Sequence, residues 1–212
     1  MFKINKMDFL VALYIFCIIV SELMGAKTFP LFGKFSASVA IFLMPFIFTV
    51  NDIITEVYGK ERTKSIIKSG LLMIVFLIGF SFLAINLPAT QRFAPSQGAY
   101  QNIFGVSIRI SIASLIAFFL AEYLDVLVFV KMRKAMGQKA LWLRNNASNF
   151  VAQFFDTSIF YLFAFYALDK PLSSNLAFLA GLIIPYWILK CLVSIFETPL
   201  VYAGVKWLKK EN

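Results

Sequence analysis

Residues 48–64 read FTVNDIITEVYGKERTK and follow SVAIFLMPFI at 38–47. The leading run suits only a dry environment, yet it ends in Asn51, Asp52, Thr55 and Glu56. Polar groups at the end of such a run make sense when the solvent around the chain is lipid. They then mark the end of a membrane crossing, or the wall of a cavity inside one.

Composition supports lipid as that solvent. Of 212 residues, 60% are hydrophobic and 25 are Phe, with a mean hydropathy of +0.81. A soluble domain carries about 45–50% apolar residues. The net charge of +9 would raise nucleic-acid binding in a soluble protein. Here the charges fall in the gaps between apolar runs, which is a topology footprint and argues against a nucleic-acid partner. Histidine is absent. That removes Ser-His and Cys-His nucleophiles and the usual zinc sites. Cys17 and Cys191 each lie inside an apolar run and read as packed free thiols. The first run contains Glu22 and is followed by Lys27, which does not suit a cleaved signal peptide.

About 20 apolar residues cross the hydrocarbon as a helix. Six stretches qualify, at 8–27, 36–58, 66–87, 103–130, 145–168 and 176–207. The expected fold is therefore all-α: a single polytopic membrane domain of six transmembrane helices over residues 1–212. Pro45 is expected to kink the second span, and Pro185 and Pro199 to tilt or break the last. With the N-terminus inside, fourteen Lys and Arg fall in inside segments and four outside. The positive-inside rule then places both termini in the cytoplasm. The segment at 88–102, PATQRFAPSQGAYQN, reads as a loop or re-entrant turn. There is no Walker loop and no internal repeat, and no cofactor or metal is expected.

Besides Asp8 at the very start of the first span, seven acids lie within the spans: Glu22, Asp52, Glu56, Glu122, Asp125, Asp156 and Glu197. Each costs about 2.5–3.5 kcal/mol near a helix centre when charged and unpaired. Arg109 and Lys190 cannot neutralise all of them. Asp156 lies roughly 16 Å along the fifth span from Asn145, near the midplane, and Lys190 sits at similar depth. Asp52 and Glu56, four apart, share a helix face. Asn145, Asn149, Gln153 and Asp156 form a stripe on the fifth span, and Lys190, Ser194 and Glu197 one on the sixth. In lipid such stripes turn inward, and together they are expected to line a central substrate pocket. The polar end of the second span is then one wall of that pocket. Plainer readings stand beside this one. Glu56 serves equally as a helix-end charge near Lys60, Arg109 as a snorkelling anchor, and Asn145 as a cap. Glu122 and Asp125 suit pairing with Lys131 or Arg133. Asp156 and Lys190 suit a structural ion pair.

Three motifs carry a family resemblance: NDIITEVYGKERTK, LWLRNNASNFVAQFFDTSIFYLFAF and KCLVSIFETPLVYAGVKWL. In order and spacing they resemble the queuosine precursor transporters, a vitamin-uptake-transporter-like family. The resemblance covers the chain nearly end to end. It implies import of 7-deazaguanine bases across the inner membrane, and a fold similar to the substrate-binding components of energy-coupling-factor transporters. The residues matching the motifs are Asn51, Asp52, Thr55, Glu56, Arg144, Asn145, Gln153, Asp156, Lys190, Thr198 and Pro199.

The chemistry suits such a ligand. A deazaguanine presents an N1–H and an exocyclic amine that a carboxylate can accept, and an O6 that accepts from Lys, Arg or an amide. Asp156 with Gln153 is the expected acceptor pair. Lys190 is expected to donate to O6, or to hold Asp156 ionised while the pocket is empty. Asp52 is expected to attract a cationic aminomethyl group or to carry a coupling proton. Asn51, Glu56, Asn149, Glu22, Arg109 and Glu197 complete the candidate site. The alternative is a substrate-binding subunit that needs a separate ATPase module. The first span shows no run of small residues spaced four apart for such docking, which favours a stand-alone importer. The expected partners are the small-molecule substrate and the bilayer. A homodimer is compatible with such a chain, but no interface is legible. An enzyme is not expected.

Overall fold

The computed structural model describes residues 4–31, 35–136, 141–196 and 198–209. Side chains are described there except at 122–123, 125–136, 141–149, 152, 193–196 and 198. The predicted site residue Glu197 and the side chain of Asn149 fall outside that description, as do the side chains of Glu122, Asp125, Arg144 and Asn145.

The chain is mostly helical: α1 Lys6–Met24, α2 Met44–Tyr58, α3 Lys60–Asn86, α4 Ala94–Met136, α5 Leu141–Phe165, α6 Leu172–Phe196 and α7 Thr198–Lys209. Among the described residues, five segments are long and apolar enough to cross a membrane: Lys6–Met24, Val39–Tyr58, Lys60–Asn86, Ala94–Ala121 and Leu172–Leu192. The α5 helix coincides with the remaining predicted span and carries the most polar stripe.

The purely helical expectation needs a correction between α1 and α2. Strands β1 Thr28–Leu31 and β2 Phe35–Ser38 pair as a hairpin, followed by a 3-10 turn at Val39–Phe42. Ser38 ties this connection down. Its hydroxyl donates to Gly25 O at 2.6 Å and accepts from Ala40 N at 3.2 Å. The Phe29 and Phe42 rings stack at 5.6 Å. The second helix therefore starts at Met44 rather than near 36. Pro45 sits in its first turn, where a missing N–H costs nothing, so it begins the helix instead of kinking it.

A further boundary moves. The segment read as a loop to residue 102 is already helix from Ala94. Gln101 Nε2 donates across to Ile85 O at 3.0 Å, joining the starts and ends of α4 and α3. The last predicted span is described as α6 up to Phe196 and as α7 from Thr198. Pro185 lies inside α6 without ending it.

Between α2 and α3 the chain turns on Gly59, whose φ of 84° a side chain would resist. Thr55 Oγ1 donates to Asn51 O at 2.7 Å and meets Thr63 Oγ1 at 2.8 Å, latching the corner from both helices.

Two units organise the chain. The first holds α1, α2, α3, the beginning of α4, and α7. Its core is Leu10 and Tyr14 of α1, Val50, Ile53 and Ile54 of α2, Ile66 of α3, and Leu208 of α7. Gly70 lets α3 approach α1, since an added Cβ would meet Ile18 Cδ1 at 3.0 Å and Tyr14 Cε1 at 3.2 Å. Gly204 does the same for α7, against Ile53. Leu72, Phe76, Phe80 and Leu83, spaced 4, 4 and 3 on α3, all stay exposed. In water that stripe would aggregate; in hydrocarbon it is the solvated face.

The second unit holds the rest of α4, α5 and α6 to Cys191. Tyr161 of α5 packs edge-on against Tyr186 of α6 at 5.4 Å. Trp187 Nε1 donates to Phe150 O at 3.1 Å, which fixes the register of α6 on α5. The Asn175 amide gathers the α5–α6 connection: Oδ1 accepts from Ala167 N at 2.9 Å, and Nδ2 donates to Ala167 O at 2.8 Å and Lys170 O at 3.1 Å. Cys17 and Cys191 are both free thiols.

Candidate functional site

The helical spacing of α5 puts Gln153 and Asp156 on one face, and the Trp187–Phe150 bond sets Lys190 of α6 opposite them. Lys190 Nζ donates to Asp156 Oδ2 at 2.7 Å. The Lys190 side chain is 9% exposed and that of Asp156 is 32% exposed. The ammonium also lies 5.4 Å from the Tyr186 ring centroid, a cation–π contact. Cys191 Sγ approaches Gln153 Oε1 at 4.0 Å.

One turn beyond, Thr157 and Tyr161 continue the Gln153 face at spacings of four. Thr157 Oγ1 and the Tyr161 hydroxyl are buried with no hydrogen-bond partner among the described residues. Buried hydroxyls are normally satisfied, so two orphans beside an ion pair mark a place where a ligand or water can be met. The group therefore offers a carboxylate and an amide as acceptors, an ammonium as donor, and aromatic faces around them.

The first unit holds the other candidates. Glu22 is buried on α1, at a level where Ser107 Oγ of α4 donates to Leu23 O at 2.9 Å. Arg109 lies one half-turn beyond Ser107 and is exposed. The Asn51 side chain faces the Tyr14 phenol, and its buried Oδ1 has no hydrogen-bond partner among the described residues. Asp52 and Glu56 both line one cleft of about 850 Å³, opposite Val201, Tyr202, Val205, Lys206 and Lys209 of α7.

Comparison with known sequences places the chain. The sequence profile of a family described as "Putative vitamin uptake transporter" matches residues 38–204. A protein of Bacillus subtilis named "Probable queuosine precursor transporter" is 30% identical over 93% of this chain and 83% of its own length. The chain belongs to this transporter family. The "Queuosine precursor transporter" of Escherichia coli is 30% identical over 59% of the chain and 53% of its own length. A Haemophilus influenzae protein named "Probable queuosine precursor transporter" is 28% identical over 60% and 51%. No solved structure matches. The protein is thus a transporter rather than an enzyme, a multi-pass protein of the bacterial inner membrane.

Within the transporter, the family-like stretch NDIITEVYGK divides by role. Asp52 and Glu56 face the cleft, whereas Thr55 and Gly59 build the corner. Sequence reasoning missed Thr157, Tyr161, Tyr186, Tyr202, Lys206 and Lys209. The first two were legible as a continuation of the Gln153 spacing, but single hydroxyls in an aromatic-rich run carry little contrast. The two lysines registered only as inside charges at the end of the last span.

Proposed function

We propose that this transporter imports queuosine precursors, 7-deazaguanine bases bearing a nitrile or an aminomethyl group, or queuine. The observation that carries the reading is the match to the Bacillus subtilis transporter along nearly the whole chain. In this reading the helices make six crossings with both termini in the cytoplasm, around a central pocket. Asp156 and Gln153 accept from the N1–H and exocyclic amine. Lys190 donates to O6.

Asp156 is paired with Lys190 at 2.7 Å. A bound base exchanges that ion pair for hydrogen bonds to both ends, so neither charge is left bare in a low-dielectric site. Tyr186 lies against the Lys190 ammonium, and Tyr161 packs edge-on against Tyr186. Asn51, Asp52, Glu56, Glu22, Arg109, Asn149 and Glu197 are the further polar groups assigned to the substrate path.

The test is uptake of labelled 7-deazaguanine into cells that cannot synthesise it, with and without this chain. Uptake should depend on the chain and fall at least tenfold in Asp156→Ala and Lys190→Ala. Uptake that appears only when an ATPase module is supplied would reassign the chain as a substrate-binding subunit. Uptake untouched by Asp156→Ala would overturn the site.

A further inference from the structure

The cations at the start of α3 stand on the helix face that further along meets hydrocarbon. Lys60, Lys64 and Lys68 follow one another at spacings of four, and Leu72 and Phe76 continue the series. All five are exposed. The opposite face, with Thr63, Ile66, Gly70 and Ile74, is buried.

The length of α3 sets the level of these lysines. Its 27 residues extend about 40 Å, against about 30 Å of hydrocarbon. No charged residue follows Lys68 in the helix, and residues 69–86 alone rise about 27 Å. Lys64 and Lys68 therefore fall at the level of the lipid headgroups. Four cations, Lys60, Arg62, Lys64 and Lys68, share this end of α3 with one carboxylate, Glu61. Glu61 reaches Lys64 at 3.3 Å, but both side chains are largely exposed, and such a pair contributes little. Lys60, Arg62 and Lys68 make no ion pair or side-chain hydrogen bond among the described residues. Further down the same face Gly79 is exposed, and an added Cβ there would meet nothing. It leaves a dip beside the exposed side chains of Val75, Phe76 and Leu83, in which a hydrocarbon chain can lie.

We infer that this face of α3 is a binding site for an anionic phospholipid. Lys64 and Lys68 hold the phosphate, Lys60 and Arg62 widen the positive field, and an acyl chain runs past Leu72 to the dip at Gly79. A zwitterionic lipid brings its own cation and leaves the excess charge unanswered. A second copy of the chain, related by a two-fold axis along the membrane normal, would bring the same lysines to the same level, where they repel. The site shares no residue with the Asp156–Lys190 group and does not depend on which substrate is carried.

The experiment is melting of the purified full chain in detergent micelles with added phospholipid. Phosphatidylglycerol should raise Tm by about 3 °C more than the same mole fraction of phosphatidylcholine. Lys64→Gln/Lys68→Gln should lose most of that difference while melting like wild type in phosphatidylcholine, because both side chains are exposed. Lys64→Arg/Lys68→Arg should keep it, and so should Lys170→Gln, at an exposed lysine off this helix. Glycerol phosphate, which has the charge and no acyl chain, should give no shift. Native mass spectrometry supplies a second reading: wild type should retain phosphatidylglycerol, and the double Gln variant should lose it. A difference that survives the double Gln substitution, or one that Lys170→Gln abolishes equally, overturns the inference. So does a shift from glycerol phosphate as large as the lipid's. Wild-type protein that retains no phosphatidylglycerol and runs as a dimer hands the face to a second copy and overturns it as well.

Discussion

Asp156 and Lys190 are 34 residues apart in sequence and 2.7 Å apart in space. Removing Asp156 leaves the buried Lys190 ammonium uncompensated, whereas removing Lys190 leaves a carboxylate that is 32% exposed and meets water. Asp156→Asn should destabilise the protein by about 3 kcal/mol, Lys190→Met by less, and the double substitution by clearly less than their sum. Melting in detergent reads this as a double-mutant cycle. The two buried hydroxyls predict the opposite sign. Tyr161→Phe removes an unsatisfied polar atom, so its stability should stay level or rise by up to about 1 kcal/mol. Gly59→Ala must place a side chain at φ 84°, at a cost of about 1–3 kcal/mol. For a protein of this size that lowers Tm by about 2–4 °C per kcal/mol. At this scale the sequence was legible where chemistry was loud. A charge in an apolar run stands out, and so does a pair of carboxylates four apart. A threonine or tyrosine in the same run does not, and only the packed neighbours reveal that its hydroxyl has nothing to bond.

Helices were legible by length and hydropathy, and their ends were not. Pro45 looked like a kink because it follows an apolar run, but the run belongs to a 3-10 turn and a strand, and the proline merely opens α2. The hairpin between Thr28 and Ser38 carries no strong alternation, and it stands on a few local bonds such as Ser38 to Gly25 that spacing does not announce. Element joints should be sensitive in proportion to the bonds they gather. Asn175→Ala frees Ala167 N and several carbonyls at once and should cost about 2–3 kcal/mol, with faster proteolysis at the α5–α6 connection as the local readout. Gly204→Val should force α7 away from Ile53 and cost about 1–3 kcal/mol, while Gly79→Ala, whose added Cβ meets nothing, should be neutral.

For the whole molecule, the excess of basic residues in alternate gaps carries a prediction that needs no side-chain detail. Reporter fusions at both ends should signal cytoplasm, and one inserted at 88–93 should signal the opposite side. A reporter at either end found outside would reverse the topology. The transporter class was legible because three motifs recur in order along the chain, which a single motif could not have established.

The first unit is stitched from distant parts of the sequence. Its earliest helix meets its last through Lys6 and Trp207, 201 residues apart. A ribosome must therefore emit the whole of α5 and α6 before α7 can close over Ile53. During that interval Ile53 of α2 lacks the Gly204 and Leu208 packing that completes the core of the first unit. Nascent chains arrested before residue 198 should be quality-control substrates even when every earlier crossing is in place.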